Sequence, residues 1–316
     1  MKVSVCITIL NEEKNISKLI VSLLKQTKKP NEIVIVDGGS SDKSVEVIGH
    51  WQKKDKRIKC LVEKGSIAHG RNIAIDIAKS PIIAQIDAGC VAKRDWLEEI
   101  TKPFKYENVG MVAGFYEMFA RNSMQKAMNV FHGLLPSQFD PTNFVPSARS
   151  CAFRNKVWLE VGGYSEKFER AGEDTHFFYK IVKNKVKIAR VKQAVVEWRE
   201  TNKLGFKVSL KKFYYYAKGD AQAGIWWHPS KQLASHNIKI ISIFLRYMVG
   251  IILLFLSIFK PLLFLLTLLL GIIYSFWAFR KIYLLTSDWK AGLWGIVIQF
   301  TSDFCVMAGF ANGLVK

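Results

Sequence analysis

Four acidic clusters stand where chemistry could be done. Val3 to Leu10 runs into Asn11-Glu12-Glu13, and Ile33 to Val36 into Asp37-Gly38-Gly39-Ser40-Ser41-Asp42. Ile82 to Ile86 runs into Asp87-Ala88-Gly89, and Gly172-Glu173-Asp174 follows much later. Uninterrupted apolar runs are the pattern of parallel strands buried on both faces. Ligands of open α/β sheets bind just beyond the carboxyl ends of such strands. Three carboxylate-bearing strand ends are therefore expected to converge on one crevice. Carboxylates gathered there suit a ribose, a base and a metal-bound diphosphate.

The elements that must position these groups are legible in the first hundred residues. Glu12 to Gln26 carries Ile16, Leu19, Ile20, Leu23 and Leu24 at helical spacing. Pro30-Asn31 is a turn. Strand two ends at Asp37, and Asp42 is expected to cap the helix that carries Val45, Val47 and Ile48. Ile58 to Val62 reads as a third strand, Ser66 to Lys79 as a helix broken by Ser80-Pro81, and the fourth strand ends at Asp87. This β-α-β rhythm predicts a parallel sheet with right-handed crossovers. Residues from about 110 to 199 mix short strands, loops and helices. Leu204 to Lys218, with large apolar residues among lysines, reads either as a membrane-interface helix or as a solvated helix packed on the domain.

The chain has 316 residues, half of them hydrophobic, and a formal charge of +20. A basic excess points to nucleic acid, an anionic membrane surface or phosphate-rich substrates. No zinc-finger spacing, helix-turn-helix signature or RNA-binding aromatic motif accompanies it, so nucleic acid is not expected as a partner. Cys6, Cys60, Cys90, Cys151 and Cys305 are scattered and never spaced as C-x-x-C, which argues against a disulfide framework and structural zinc. Lys2 leads directly into a strand, so no signal peptide is expected and the N-terminal domain is placed in the cytosol.

Ile9-Leu10-Asn11-Glu12-Glu13, Val36-Asp37-Gly38-Gly39-Ser40-Ser41-Asp42, Gly70-Arg71-Asn72, Ile86-Asp87-Ala88-Gly89, Val161-Gly162-Gly163-Tyr164 and Gly172-Glu173-Asp174 occur in an order and spacing that resembles the family 2 glycosyltransferases. The resemblance covers about Met1 to Gly224. It implies an α/β fold of GT-A type: a nucleotide-sugar-binding, Rossmann-like domain, here followed by a C-terminal transmembrane helical segment. It implies that Asp37 and Glu12 read the nucleoside, the alternative being that Glu12 starts a helix and Asp37 opens a turn. It places Arg71 at the diphosphate, where a guanidinium pairs bidentately, with a surface arginine as the alternative. Asp87 stands where the family carries D-x-D, the ligand of a divalent cation, Mg²⁺ or Mn²⁺. Gly89 replaces the second carboxylate, so the metal requirement is expected to be weak. His176 is a candidate nitrogen ligand, or an ordinary helix histidine. The resemblance makes Asp174 the general base of inverting transfer, with Glu173 orienting it or touching the acceptor. Arg149, Ser150, Trp198 and Arg199 are candidates for the acceptor pocket, their alternative being packing or solvated surface. The Q-x-x-R-W motif of processive members is absent, because Trp198-Arg199 runs in the reverse order; single-sugar transfer is expected.

From about Ile240 the composition changes. Ile240 to Phe259, Pro261 to Phe279 and Ala291 to Val315 approach the ~20 apolar residues that a spanning helix needs. Asp303 and Arg246 are expected to face a helix bundle rather than lipid. Three spans are expected, or two with a re-entrant or interfacial helix. Arg280, Lys281 and Lys290 would lie inside with the catalytic domain, as the positive-inside rule prefers, and Lys260 outside. The expected organisation is a catalytic domain over 1–230, its nucleotide-sugar half 1–110 and its acceptor half with interfacial segment 111–230, and a membrane domain over 238–316. The function expected is that of a multi-pass, cell-membrane glycosyltransferase with its catalytic domain in the cytosol. It would move one sugar from a nucleotide-diphosphate sugar to a lipid-linked or surface-glycan acceptor, aided by anionic membrane lipids. Two other readings stand beside it: a polyprenyl-phosphate sugar synthase, and an inactive nucleotide-sugar-binding scaffold in a glycan-assembly complex.

Overall fold

The computed structural model describes residues 1–168, 170–199, 205–226 and 236–315. They group into two compact units, Met1–Met118 with Pro136–Glu200 and Phe119–Leu135 with Thr201–Lys316. The second unit thus takes in a segment inserted in the sequence of the first. Residue 230 and Leu204, the expected start of the basic helix, lie outside the described residues.

The first unit is built on one eight-stranded mixed sheet. Its strands are β1 (Val3–Ile9), β2 (Glu32–Asp37), β3 (Ile58–Val62), β4 (Ile82–Gln85), β5 (Cys90–Ala92), β6 (Val109–Met118), β7 (Cys151–Arg154) and β8 (Lys187–Trp198). They lie in the order β3-β2-β1-β4-β7-β6-β8-β5. The first four are parallel, as the rhythm predicts. β7 then runs antiparallel to both β4 and β6, β8 is parallel to β6, and β5 is antiparallel to β8. The uninterrupted apolar runs have a simple cause. Successive side chains of a strand point to opposite faces, and both faces are covered. Val3, Val5, Ile7, Ile33, Ile35, Ile82 and Ala84 enter one core, with Ile16, Leu19, Ile20 and Leu23 of α1 (Ile16–Leu24), Ile48 of α2 (Ser44–Lys54) and Trp96. Cys6, Val34, Val36 and Ile83 enter the other, with Ala74 and Ile75 of α3 (Ile67–Asp76) and with Phe177, Phe178 and Ile181. Trp96 opens α4 (Trp96–Thr101).

The second unit consists of helices α5 (Ser123–His132), α8 (Phe206–Ala223), α9 (His236–Leu256), α10 (Leu262–Thr286) and α11 (Trp289–Leu314), while α6 (Asn155–Glu160) and α7 (Glu173–Lys183) belong to the first. α9, α10 and α11 are each long and apolar enough to cross a membrane. α8 lies on α11 through Phe213, Ala217 and Ala221, which pack with Ile298, Val306 and Phe310. Lys207 and Lys211 point away and are exposed. Asp303 is 1% exposed, as expected of a charge turned into a bundle. It accepts hydrogen bonds from Tyr274 Oη (2.6 Å), Tyr247 Oη (3.2 Å) and Gln299 Nε2 (2.9 Å), with Arg246 at 4.0 Å. Polar ties of this kind hold apolar helices in register.

At Gly309 the backbones of α11 and α8 approach closely. A Cβ there would lie 2.1 Å from the Tyr214 carbonyl oxygen, a backbone atom that cannot rotate aside. Gly309→Val is therefore expected to force the helices apart and lower stability by about 1–3 kcal/mol or more. Thermal melting of the purified full-length chain in detergent checks this; an unchanged melting temperature would contradict the packing.

Candidate active site

The carboxyl ends of β1, β2 and β4 form one edge, as the sequence implies. Asn11, at φ 57°, turns the chain out of β1. Its backbone N–H donates to Ser40 Oγ at 2.7 Å, and its side-chain oxygen accepts from the Ser41 N–H at 2.9 Å. The Glu12 N–H donates to Ser44 Oγ at 2.7 Å, and its carboxylate accepts from Asn15 Nδ2 at 2.7 Å. Asp37 is fully buried, and its carboxylate accepts from the N–H groups of Gly39 (2.9 Å) and Ser40 (2.7 Å) and from Ser40 Oγ (2.5 Å). Asp42 does not cap α2. The cap position is Lys43, with no side-chain bond. Asp42 instead accepts from the N–H groups of Ser44 (3.0 Å) and Glu13 (3.1 Å). The two loops thus form a preformed, hydrogen-bonded rim in which Glu12 stays half-buried and Asp37 is committed to its own turn.

β4 ends at Gln85, two residues before Asp87, whose side chain is 33% exposed in the following loop. Arg71, on α3, is buried. Its Nη2 donates to Asp87 Oδ1 at 3.0 Å and its Nη1 donates to Glu173 Oε1. Burial works against its charge, but Glu173 and Asp87 outweigh it and hold the guanidinium above its usual range. Both terminal nitrogens expected at a diphosphate are thus engaged by protein carboxylates. The guanidinium lies over the Tyr164 ring at 5.5 Å, and the Tyr164 hydroxyl donates to Gln85 Oε1.

Glu173 and Asp174 open α7 after Gly172, whose φ of 102° glycine adopts at little cost. Successive helix residues point about 100° apart, and the pair divides accordingly. Glu173 turns inward to Arg71, and burial raises its carboxyl above the usual carboxylate range against the pull of that guanidinium. Asp174 stays half-buried, its Oδ1 accepting from the Thr175 N–H at 2.8 Å. It is the accessible carboxylate of the two.

His176 packs against Phe168, ring centroids 5.5 Å apart, with Nδ1 buried and lacking a partner among the described residues. Burial, then Lys167 and Lys180, push its imidazole down to about 4. Among the described residues no three His, Cys, Asp or Glu side chains come together to hold an ion. Asp87 alone nevertheless fits a cation that takes its other ligands from diphosphate oxygens and water, as Mg²⁺ commonly does. The histidine has a consequence for stability. The unfolded chain takes up its proton near pH 6.5 and the folded chain only near 4, so stability is lost as pH falls through that window. His176→Phe is expected to flatten this limb of a urea-denaturation pH series; an unaltered limb would contradict the burial.

The acceptor candidates separate. Arg149 lies over the Trp198 ring at 3.8 Å and the Tyr116 ring at 5.1 Å, with its Nη1 donating to Ser147 Oγ at 3.0 Å. Trp198 is itself buried. The Arg199 N–H donates to the Gly89 carbonyl at 3.1 Å, and its side chain pairs with Glu197 at 2.7 Å. Together with the Cys90–Trp198 pairing of β5 and β8, this brings the Trp198-Arg199 segment beside the Asp87 loop. Ser150 is a correction. It is fully buried, its Oγ accepting from Trp96 Nε1 and donating to the Ala194 carbonyl, both at 3.0 Å, so it braces the core. Two contributors escaped the sequence reading. Gln85 had a signal, being the polar member of the apolar run Ile82 to Ile86; Tyr116 had none.

A family model described as glycosyl transferase family 2 matches residues 4–161. Glycosyltransferase GlyG of Streptococcus pneumoniae serotype 4 is 30% identical over 116 residues, 36% of this chain and 38% of that protein. An uncharacterized glycosyltransferase, MJ1057, of Methanocaldococcus jannaschii is 26% identical over 231 residues, 68% of this chain and 76% of that one. The match to GlyG thus spans well under half of that relative's length. Among solved structures, the mannosyltransferase PcManGT from Pyrobaculum calidifontis, in complex with GDP-Man and Mn²⁺, aligns with a TM-score of 0.65 at 17% identity, over 94% of this chain and 86% of that one. S. aureus TarS 1-349 in complex with UDP-GlcNAc aligns at 0.53 and 18% identity, over 71% and 66%. Both share the fold: a GT-A type α/β core, followed in this chain by three long apolar helices.

Proposed function

The chain belongs to glycosyl transferase family 2, and we propose that it is a membrane-anchored, inverting glycosyltransferase. It moves one sugar from a nucleotide-diphosphate sugar to a lipid-linked or surface-glycan acceptor at the cytosolic face of the cell membrane. The observation that carries this reading is the Arg71 bridge, which joins the carboxylate after β4 to the N-terminus of the helix bearing Asp174. The groups that must act on the two substrates thus share one crevice. The nucleotide sugars in the neighbours' structures support the donor class.

The rim of Asn11, Glu12 and the 37–44 loop receives the nucleoside. Asp87 faces the diphosphate and would hold a divalent cation there, which would supply charge neutralisation for the leaving group when bound. Asp174 accepts the proton of the acceptor hydroxyl as that oxygen bonds to the anomeric carbon and the carbon–phosphate-oxygen bond breaks. Arg149 stacked on Trp198 offers a cationic, planar face for a phosphorylated or sugar acceptor.

A polyprenyl-phosphate sugar synthase differs only in its acceptor. The scaffold reading draws on the single carboxylate at Asp87 and the engagement of Arg71. Nucleotide release by the full-length chain in detergent, over UDP-, GDP- and dTDP-sugars with and without Mn²⁺, tests all three. Release that needs a native lipid extract supports the leading reading, and release with polyprenyl phosphate alone the synthase. Donor binding without turnover on any acceptor supports the scaffold.

A further inference from the structure

We propose that Arg71 is a positioning residue that couples donor binding to base placement: one buried guanidinium holds Asp87 on the donor side and, through Glu173, the helix that carries Asp174. The inference rests on the assignment of Asp174 as base and adds the device that keeps it in register with the donor.

Three observations carry it. First, Arg71 is 4% exposed and fixed at both ends, by partners 16 and 102 positions away in the chain. Second, Glu173 is 4% exposed and depends on this contact, because its Oε2 is buried without a partner among the described residues. Removing the arginine would leave the buried carboxyl without the guanidinium from which Oε1 accepts. Third, a second bridge runs parallel to the first. Tyr164 stacks on Phe177 of α7 at 4.2 Å and donates its hydroxyl to Gln85 of β4, while its ring lies against the same guanidinium. β4 with its following loop and α7 are therefore tied twice, by charge at Asp87 and by a ring at Gln85. Any shift of Asp87 on engaging a diphosphate and cation is transmitted to the first turn of α7. A lysine would place one point charge where a planar fork serves two carboxylates.

The test uses full-length protein in detergent, with GDP, UDP and dTDP as probes of the donor site and initial rates of sugar transfer. Wild type is compared with Arg71→Lys, Glu173→Gln and the double variant. Coupling predicts that Glu173→Gln weakens nucleoside diphosphate binding about fivefold or more and also lowers kcat. It further predicts that the double variant is no worse than the worse single one. Direct contact of Arg71 with the diphosphate predicts the opposite pattern: Glu173→Gln leaves binding unchanged and the two effects multiply, which would overturn the proposal. Melting curves identify a variant that fails to fold. In that event Tyr164→Phe, which cuts only the bond to Gln85, provides the same comparison, and unchanged binding there overturns the coupling. A wild-type chain that binds none of GDP, UDP and dTDP overturns the functional reading together with the coupling, whereas binding that ignores Glu173 overturns the coupling alone.

Discussion

Asp174→Asn is expected to lower the rate of sugar transfer by about 10²–10⁴-fold, the usual contribution of a positioned general base. Affinity for the nucleoside diphosphate should stay near that of wild type, because no described donor-side residue hydrogen-bonds to the Asp174 carboxylate, whose Oδ1 accepts, among the described residues, from the adjacent Thr175 N–H alone. The substitution keeps the shape and loses only a charge at a helix N-terminus, worth about 0.3–1 kcal/mol of stability. Lost activity would therefore not reflect lost folding. Initial rates under saturating donor, beside calorimetric binding of GDP or UDP, measure both quantities. Full activity in the variant would remove Asp174 from the mechanism. The neighbouring Glu173 cannot easily substitute, because it points inward and is held by Arg71.

The second large effect is expected at Asp87. Asp87→Asn preserves an oxygen for Arg71 Nη2, which now lies 3.0 Å from Oδ1, so the local packing should survive. The negative charge offered to a cation would not. A fall in kcat/KM for the donor on the order of 10²-fold is expected, about 2.7 kcal/mol at 1.36 kcal/mol per decade. Any stimulation of the wild type by Mn²⁺, measured by titration and reversed with a chelator, should disappear in the variant. Persistence of that stimulation would place the cation elsewhere.

The parallel half of the sheet was legible because its signal is local. Cys6, Val34 and Val36 alternate with Val5, Ile33 and Ile35 between two covered faces, and that alternation yields continuous apolar runs. The antiparallel half was not legible. β5 and β7 have three and four residues, and their partners lie far along the chain, so no periodicity marks them. The same distinction runs through the site. Glu12, Asp37, Asp87 and Asp174 could be picked out because each ends or follows a strand or stands in the first turn of a helix. What Arg71 touches could not, since one of its partners lies 102 residues away. Ser150 misled because burial is set by a distant neighbour: Gly114 lacks a side chain, and a Cβ there would lie 2.1 Å from the serine hydroxyl. The helical unit shows both cases. The inward turn of Asp303 followed from the cost of a charge facing lipid. The recruitment of α5, whose Ser123 and Lys126 bind Asp288 across more than 160 residues, had no local sign.

The central claim is a single displacement at the anomeric carbon, driven by Asp174 as base. The measurement that bears on it most directly is the anomeric configuration of the product, read by proton NMR from a donor of defined configuration. Inversion is the predicted result, with an α-linked nucleotide sugar giving a β-linked product. Retention would require a second displacement or a front-face attack, and would contradict the mechanism assigned to these carboxylates.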